Sequence, residues 1–378
     1  MKLETLEYHD REYNWKLDRV EFSANPTLLV GRSGAGKTQV LRSIHALKKI
    51  ANGGSLNGVK WDACFLTSQG QRYRWQGEFE TQKHLLGSQA KSDKEYKLIK
   101  EKLEKSDKII VDRSAEKILF NGIQTPKLSP SQSTLHLLKQ EEEISFATEE
   151  INKIILADLK YGEQISTLSV SLLNQYENAS LKDIQESELP LSLKLSLVYR
   201  TFPEVFQKIK EKVREIFSEI EDIKIEALNL DDIPVVLAEL LRESTVVYFK
   251  EKGVNDWIKQ VNISSGMLKA LMYVSELYLS PKGSLILIDE FENSLGVNCI
   301  DSMTDILLEN KELQFIITSH HPYIINNISP KHWKIVTRQG GVVQVKDSQD
   351  LGIAKSRHKA FIDLINILEE YPEGIEEE

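Results

Sequence analysis

The chain has 378 residues, of which 41% are hydrophobic and 28% are charged, a composition typical of one or two packed domains. Its 48 basic and 57 acidic residues give a net charge of −9, which opposes indiscriminate binding to nucleic acid or to anionic membranes. Two cysteines, Cys64 and Cys299, lie far apart without CxxC spacing, which argues against a disulfide framework and against a structural zinc site.

The N-terminal segment does not have the composition of a signal peptide. It is too charged for a signal peptide, and no apolar run in the chain approaches the roughly 18 residues that a membrane-spanning helix needs. We therefore expect a cytoplasmic protein that does not act at a membrane.

The predicted elements fall into three blocks. Strand-like runs bracket one helix in residues 1–80, and strands and helices alternate again in residues 244–350. Near-continuous apolar strands of this kind predict an α/β fold with a buried, mostly parallel sheet flanked by helices. We expect these two blocks to form one head domain, with a mostly helical insertion at 81–243 and a C-terminal helix and acidic tail at 351–378.

The insertion contains two kinds of pattern. Charged stretches at 91–108 and 193–217 are typical of helices, and IIVDRSAEKILFNG (109–122) is typical of a β-hairpin. The seven lysines of 91–108 could contact nucleic-acid phosphates, but such a run is more often a solvated helix face.

A complete phosphate-loop motif lies in the first block. GRSGAGKT (31–38) matches G-x-x-x-x-G-K-[ST], follows an apolar strand and precedes a helix. The glycines let successive backbone N–H groups point at phosphate oxygens, while Lys37 reaches the β- and γ-phosphates and Thr38 places its hydroxyl on Mg²⁺. The residues expected to bind ATP here are Gly31, Ser33, Gly34, Gly36, Lys37, Thr38 and Gln39.

Two carboxylates follow the apolar strand 285–288. Packing does not require Asp-Glu at the end of such a strand, whereas ligands bind at the carboxyl ends of parallel strands. We expect Asp289 to hold magnesium through water and Glu290 to orient and deprotonate the attacking water.

The next apolar strand ends in Ser-His-His-Pro. A neutral imidazole beside the γ-phosphate can donate a hydrogen bond and help to orient the nucleophile, and of the two histidines we favour His320 over His321. Taken alone, a histidine at a strand end is usually a surface or capping residue, so this prediction depends on the other motifs.

The stretch NISSGMLKALMYV (262–274) has two interpretations. It is a well-capped helix, because Ser264 or Ser265 is a good N-cap and apolar residues recur at helical spacing. The free N–H groups of that helix start also suit an anion and could form half of an ATP site.

The order of these motifs resembles that of ATP-binding-cassette (ABC) type P-loop ATPases. The chain is similar to the group that includes structural-maintenance-of-chromosomes (SMC) heads, RecF-like repair proteins and the overcoming-lysogenization-defect (OLD) nucleases, and above all to stand-alone relatives in bacterial antiphage defence. The resemblance implies two heads sandwiching two ATP molecules with Mg²⁺, in which Ser264, Ser265 and Gly266 complete the partner's site.

The motifs depart from the family in three places. The third and fifth signature positions are Ser265 and Met267, where the family is richer in glycine, and the segment 294–296 after the carboxylates has no acidic residue. The glutamine that contacts magnesium in the family has three candidates here, Gln69, Gln71 and Gln76.

Two functions follow from the resemblance. In the first, the ATPase dimer controls a separately encoded effector, a nuclease or another toxin, in antiphage defence. The middle block is too short for long coiled-coil arms, and the 58 residues after His320 are too few for a fused nuclease. In the second, a RecF-like ATPase binds DNA directly, which the net charge of −9 disfavours. A scaffold that binds ATP without hydrolysing it is a third option, which the presence of Glu290 opposes.

Overall fold

The chain forms two compact units in the computed structural model. The described residues are 1–22, 25–82, 95–157, 166–167, 175–176, 178–227, 244–293, 295–353 and 357–370. Unit 1 comprises residues 1–156, 283–291 and 310–378, and unit 2 comprises residues 157–282 and 292–309.

Unit 1 is built on one large sheet. Its strands are β1 (Lys2–Asp10), β2 (Trp15–Glu21), β3 (Thr27–Val30), β4 (Val59–Leu66), β5 (Arg72–Phe79), β6 (Leu98–Lys105), β7 (Lys108–Ser114), β8 (Ile118–Phe120), β9 (Ile123–Gln124), β10 (Ile154–Leu156), β15 (Leu285–Ile288), β16 (Gln314–Thr318), β17 (Trp333–Gln339) and β18 (Val342–Asp347). Its helices are α1 (Lys37–Ala51), α2 (Thr134–Leu137), α3 (Glu142–Asn152), α9 (Pro322–Asn327) and α10 (Arg357–Glu370).

The sheet of unit 1 is mixed, so the prediction of a mostly parallel sheet was wrong. Its order is β10-β15-β16-β3-β17-β18-β2-β1-β4-β5-β6-β7-β8-β9. The neighbours from β10 to β17 are parallel, as is the pair β18 and β2, whereas the remaining pairs are antiparallel. The parallel strands were predictable because they are continuous apolar runs. In the antiparallel half, apolar and polar residues alternate along strands that are buried on one face only, which is a weaker sequence signal.

The segment 91–108 shows how the antiparallel half escaped prediction. The prediction of a helix was wrong for most of the described part of this segment. Leu98–Lys105 forms strand β6, which pairs with β5 on one side and with β7 on the other. The leucines Leu98 and Leu103 are buried in the core. Pairing on both edges outweighs the helix propensity of its lysines and glutamates. The sheet thus continues beyond the predicted domain boundary at residue 80.

The parallel strands of unit 1 position the predicted site. All residues of β3, β15 and β16 are buried, and β16 lies between the other two. Parallel strands place their carboxyl ends at one edge of a sheet, so the residues after these three strands converge there. Helix α1 follows β3 and buries Val40, Leu41 and Ile44 in the core.

Unit 2 has its own sheet and helices. Strands β11 (Ser166–Thr167), β12 (Ile220–Ala227), β13 (Ser244–Glu251) and β14 (Ile258–Lys259) form a sheet in which β13 pairs antiparallel with the other three. Its helices are α4 (Leu181–Glu186), α5 (Leu191–Thr201), α6 (Pro203–Ile216), α7 (Ser265–Leu279) and α8 (Val297–Glu309). Helix α7 packs against α5 and α6.

The break between α5 and α6 falls inside the predicted helical stretch 193–217. Pro203 occupies the first turn of α6, where its missing N–H costs nothing, and α5 ends just before it. Among the helices that the structure describes, none combines the length and the apolar character needed to cross a membrane.

Candidate active site

The phosphate loop connects β3 to α1 with the backbone that its glycines allow. Gly34 and Gly36 have φ values of 81° and 98°, in the left-handed region that favours glycine. Gly31 is needed for a different reason, because a Cβ there would lie 2.3 Å from the carbonyl oxygen of Val336 on β17. A side chain at Gly31 would therefore force the loop to shift away from the sheet, whereas one at Gly34 or Gly36 would be strained by the positive φ.

Lys37 is the buried cation of the loop. Lys37 is only 5% exposed, and its Nζ donates hydrogen bonds of 2.8 Å to the carbonyl oxygens of Gly31 and Arg32. The N-cap of α1 is Gly36, which supplies no capping side chain to the first turn. A buried ammonium beside an uncapped helix start is an environment that favours a phosphate.

Thr38 and Asp289 meet across the sheet edge. The Thr38 hydroxyl donates a 2.9 Å hydrogen bond to Oδ2 of Asp289, although 251 positions separate the two residues. Both side chains are partly exposed, and they offer the oxygen ligands that Mg²⁺ prefers. The residues present thus fit a magnesium ion.

Glu290 is exposed and has an unusual backbone. Its φ of 49° lies in the left-handed region, which is uncommon for a residue with a Cβ. Its N–H donates a 2.8 Å hydrogen bond to the hydroxyl of Thr318, the last residue of β16. Such conformations cost on the order of 1–3 kcal/mol and cluster at functional sites.

The two histidines after β16 have different surroundings. His321 is the N-cap of α9, where its Nδ1 accepts a 3.3 Å hydrogen bond from the N–H of Tyr323. Its own N–H donates to the hydroxyl of Ser319 at 3.0 Å. His321 thus caps α9, whereas His320 is exposed two residues after the end of β16, and its catalytic role stays a prediction.

The serine–glycine helix start lies in unit 2. Ser264 is the N-cap of α7, and its hydroxyl accepts a 3.2 Å hydrogen bond from the N–H of Met267. Ser264 and Ser265 are exposed, and Gly266 is half-buried. Unit 1 therefore contains the phosphate loop, the carboxylates and His320, while unit 2 contains the predicted signature.

The remaining predicted site residues are less informative. Gln39 follows Thr38 in α1, and its buried Oε1 accepts no hydrogen bond from the residues that the structure describes. Gln69 and Gln71 lie between β4 and β5, whereas Gln76 in β5 donates a 2.8 Å hydrogen bond to Asp62. The choice among these three glutamines therefore stays open. The segment 294–296 lies partly outside the described residues.

Thr318 belongs to the site although the sequence did not single it out. Its Oγ1 donates a 2.7 Å hydrogen bond to Oδ1 of Asp289 and accepts the bond from Glu290. Its carbonyl accepts from the N–H of Phe291 at 3.0 Å. The available signal was a polar residue at the end of the buried strand QFIIT, next to the strand that carries the carboxylates.

The comparisons with known proteins agree with this geometry. Residues 27–326 match the protein family described as "AAA domain, putative AbiEii toxin, Type IV TA system". The chain belongs to this AAA-domain family. The matched range includes the phosphate loop, the carboxylates and His320. A search of curated proteins finds no match.

Solved structures similar to this AAA-domain protein include heads of SMC proteins. One is an SMC head bound to the C-terminal winged-helix domain of ScpA, with 16% identity, a TM-score of 0.51, and coverage of 92% of this chain and 98% of that one. Another is an SMC head from Pyrococcus furiosus with 16% identity, a TM-score of 0.48, and coverage of 98% and 99%. At this identity the first likeness establishes the fold alone: the AAA-domain protein has a P-loop, ABC-like ATPase fold.

Proposed function

We propose that the protein binds ATP with Mg²⁺ and hydrolyses it to ADP and phosphate. The observation that carries the proposal is the hydrogen-bond chain that joins Thr38, at the end of the phosphate loop, to Asp289 and Thr318. These contacts support the proposal, because they bring the predicted magnesium residues together within unit 1 from segments far apart in the sequence.

Each side chain has a distinct task. Lys37 exchanges its two carbonyl partners for phosphate oxygens, which carry full negative charge and make stronger hydrogen bonds. Thr38 and Asp289 would hold magnesium, which would neutralise phosphate charge. Glu290 accepts the proton of the attacking water, and His320 donates a hydrogen bond to the γ-phosphate.

The site is completed by a second copy of the chain. Ser264 and Gly266 present the exposed start of α7, whose free N–H groups suit the γ-phosphate of ATP held by the partner. Two copies then enclose two ATP molecules, and hydrolysis removes the group that joins them.

In the cell, this ATP-dependent dimer regulates a separately encoded effector, a nuclease or another toxin, in antiphage defence. The family description names a putative toxin of a type IV toxin–antitoxin system. This supports a role in a system in which two proteins act together. The SMC head in the comparison is likewise bound to a domain of another protein, ScpA.

A RecF-like ATPase that binds DNA directly is the alternative. The predicted lysine-rich helix would have favoured it, but Lys100 and Lys102 lie in β6, and Lys102 forms an ion pair with Glu104. With a net charge of −9, control of a protein partner is the better supported role.

The test has two parts. Purified protein should hydrolyse ATP in a Mg²⁺-dependent manner, and absence of hydrolysis would contradict the enzymatic proposal. Tagged wild type and Glu290→Gln are then recovered from a native-like host, followed by mass spectrometry and an assay for bound nucleic acid. A stoichiometric protein encoded in the neighbouring gene supports the effector role, whereas DNA without a protein partner favours repair.

A further inference from the structure

Thr318 forms hydrogen bonds with both carboxylate residues of the candidate site, Asp289 and Glu290. It closes β16 and is fully buried, with 0% of its surface exposed. Its hydroxyl contacts Oδ1 of Asp289 at 2.7 Å and the backbone N–H of Glu290 at 2.8 Å. A single side-chain atom thus connects the predicted magnesium residue to the predicted general base.

The direction of both hydrogen bonds is fixed by chemistry. The N–H of Glu290 can only donate, so the Thr318 oxygen accepts that bond. The hydroxyl has one hydrogen, which it donates to the Asp289 carboxylate, an acceptor when ionised. Serine could make both bonds, whereas valine, which has nearly the same shape as threonine, could make neither.

The two bonds constrain different parts of the site. Because Oδ1 of Asp289 is held by Thr318, its Oδ2 is directed to the hydroxyl of Thr38 at 2.9 Å. The bond from the Glu290 N–H stabilises a backbone with φ of 49°, which a residue with a Cβ seldom adopts without support. The carbonyl of Thr318 also holds the next residue, Phe291, at 3.0 Å.

We infer that Thr318 is a positioning residue for ATP hydrolysis, whose hydroxyl orients Asp289 toward the metal and fixes the turn that carries Glu290. The inference rests on the proposed ATPase function. A purely structural role would be different: the buried hydroxyl would stabilise the fold without affecting magnesium binding or the rate of hydrolysis.

The test compares three variants with the wild type. Thr318→Val removes the hydroxyl, Thr318→Ser retains it, and Thr5→Val is the control, because Thr5 is also buried but lies in β1, five positions from β16 in the sheet order. Three quantities are measured: the Mg²⁺ dependence of binding of a fluorescent ATP analogue, kcat and KM for ATP, and the thermal midpoint.

For Thr318→Val we expect the Mg²⁺ concentration for half-maximal nucleotide binding to rise at least about tenfold, and kcat to fall at least about tenfold, the range for residues that orient metal ligands. Nucleotide binding in EDTA should not change, because Lys37 and the phosphate loop are intact. Thr318→Ser should restore both quantities, and Thr5→Val should resemble the wild type.

Two results would overturn the inference. One is wild-type Mg²⁺ dependence and kcat in Thr318→Val, with or without a lower thermal midpoint. The other is Thr318→Ser as impaired as Thr318→Val, which would assign the effect to the methyl group. An inactive wild type contradicts the proposed function instead, so the two failures are distinguishable.

Discussion

At the residue scale, nucleotide binding depends most directly on the buried cation Lys37. We predict that Lys37→Ala weakens ATP binding at least about a hundredfold, because charge-assisted hydrogen bonds to phosphate are lost. Isothermal titration with ATP and Mg²⁺ measures the change. Lys49→Ala, at an exposed position in the last turn of the same helix, is the matched control and should bind like the wild type. Equal affinities for the two variants would contradict the role of Lys37.

The positions of the nucleotide-site motifs were easier to predict from the sequence than the residues that support them. Lys37, Thr38 and Asp289 lie in motifs whose spacing and context predict their roles, and the structure brings them to one sheet edge. Thr318 was missed, because threonine is a common strand residue. Only the parallel pairing of β15 and β16 reveals that its hydroxyl reaches both carboxylate residues.

At the element scale, the start of α7 has two roles that substitution can separate. Ser264→Asp and Ser264→Asn both keep a good N-cap, so the free energy of unfolding should change by less than about 0.5 kcal/mol in either. In the dimer the aspartate would face the γ-phosphate, and like-charge repulsion should abolish ATP-dependent dimerisation. The asparagine variant carries no charge and should retain more of it.

Sedimentation velocity with ATP in a hydrolysis-deficient Glu290→Gln background measures this difference. If the aspartate and asparagine variants dimerise equally well, Ser264 is only a helix cap and the shared site is wrong. Guanidinium denaturation of both variants checks that the cap is intact.

The helices and strands that could be predicted are those whose own residues carry a clear apolar run or motif. Helix α1 and the buried strands β3, β15 and β16 follow from apolar runs and from the phosphate-loop motif. Strand β6 was not predictable, because LIKEKLEK consists of good helix formers, and only its two neighbouring strands make it extended.

At the scale of the whole molecule, a buried carboxylate joins separate parts of unit 1. Glu150 of α3 forms a 2.6 Å ion pair with the amino group of Met1, and it accepts hydrogen bonds from Lys153 at 2.8 Å and from the hydroxyl of Ser68 at 2.7 Å. Burial alone would raise its pKa, but these partners outweigh burial and lower the pKa from 4.5 to about 2.

Acid should therefore weaken this unit in a defined range. A carboxylate with a lowered folded-state pKa stabilises the protein fully above its unfolded pKa, and the contribution, about 3 kcal/mol here, is lost as pH falls from about 5 to about 2. We predict that Glu150→Gln reduces the free energy of unfolding at pH 7 and flattens its decline in acid. Denaturation across pH measures both effects. Glu149→Gln, at an exposed neighbour, should leave the pH profile unchanged, and a Glu150→Gln profile parallel to the wild type would contradict the prediction.

The measurement that tests the central claim most directly is the ATP hydrolysis rate of wild type and Glu290→Gln at saturating Mg²⁺ and ATP, with bound nucleotide determined in parallel. Removing a general base should lower kcat at least about a hundredfold while ATP stays bound. Glu309→Gln, at the exposed end of α8, is the control and should be fully active. A Glu290→Gln protein that hydrolyses ATP at the wild-type rate would contradict the assignment of the active site.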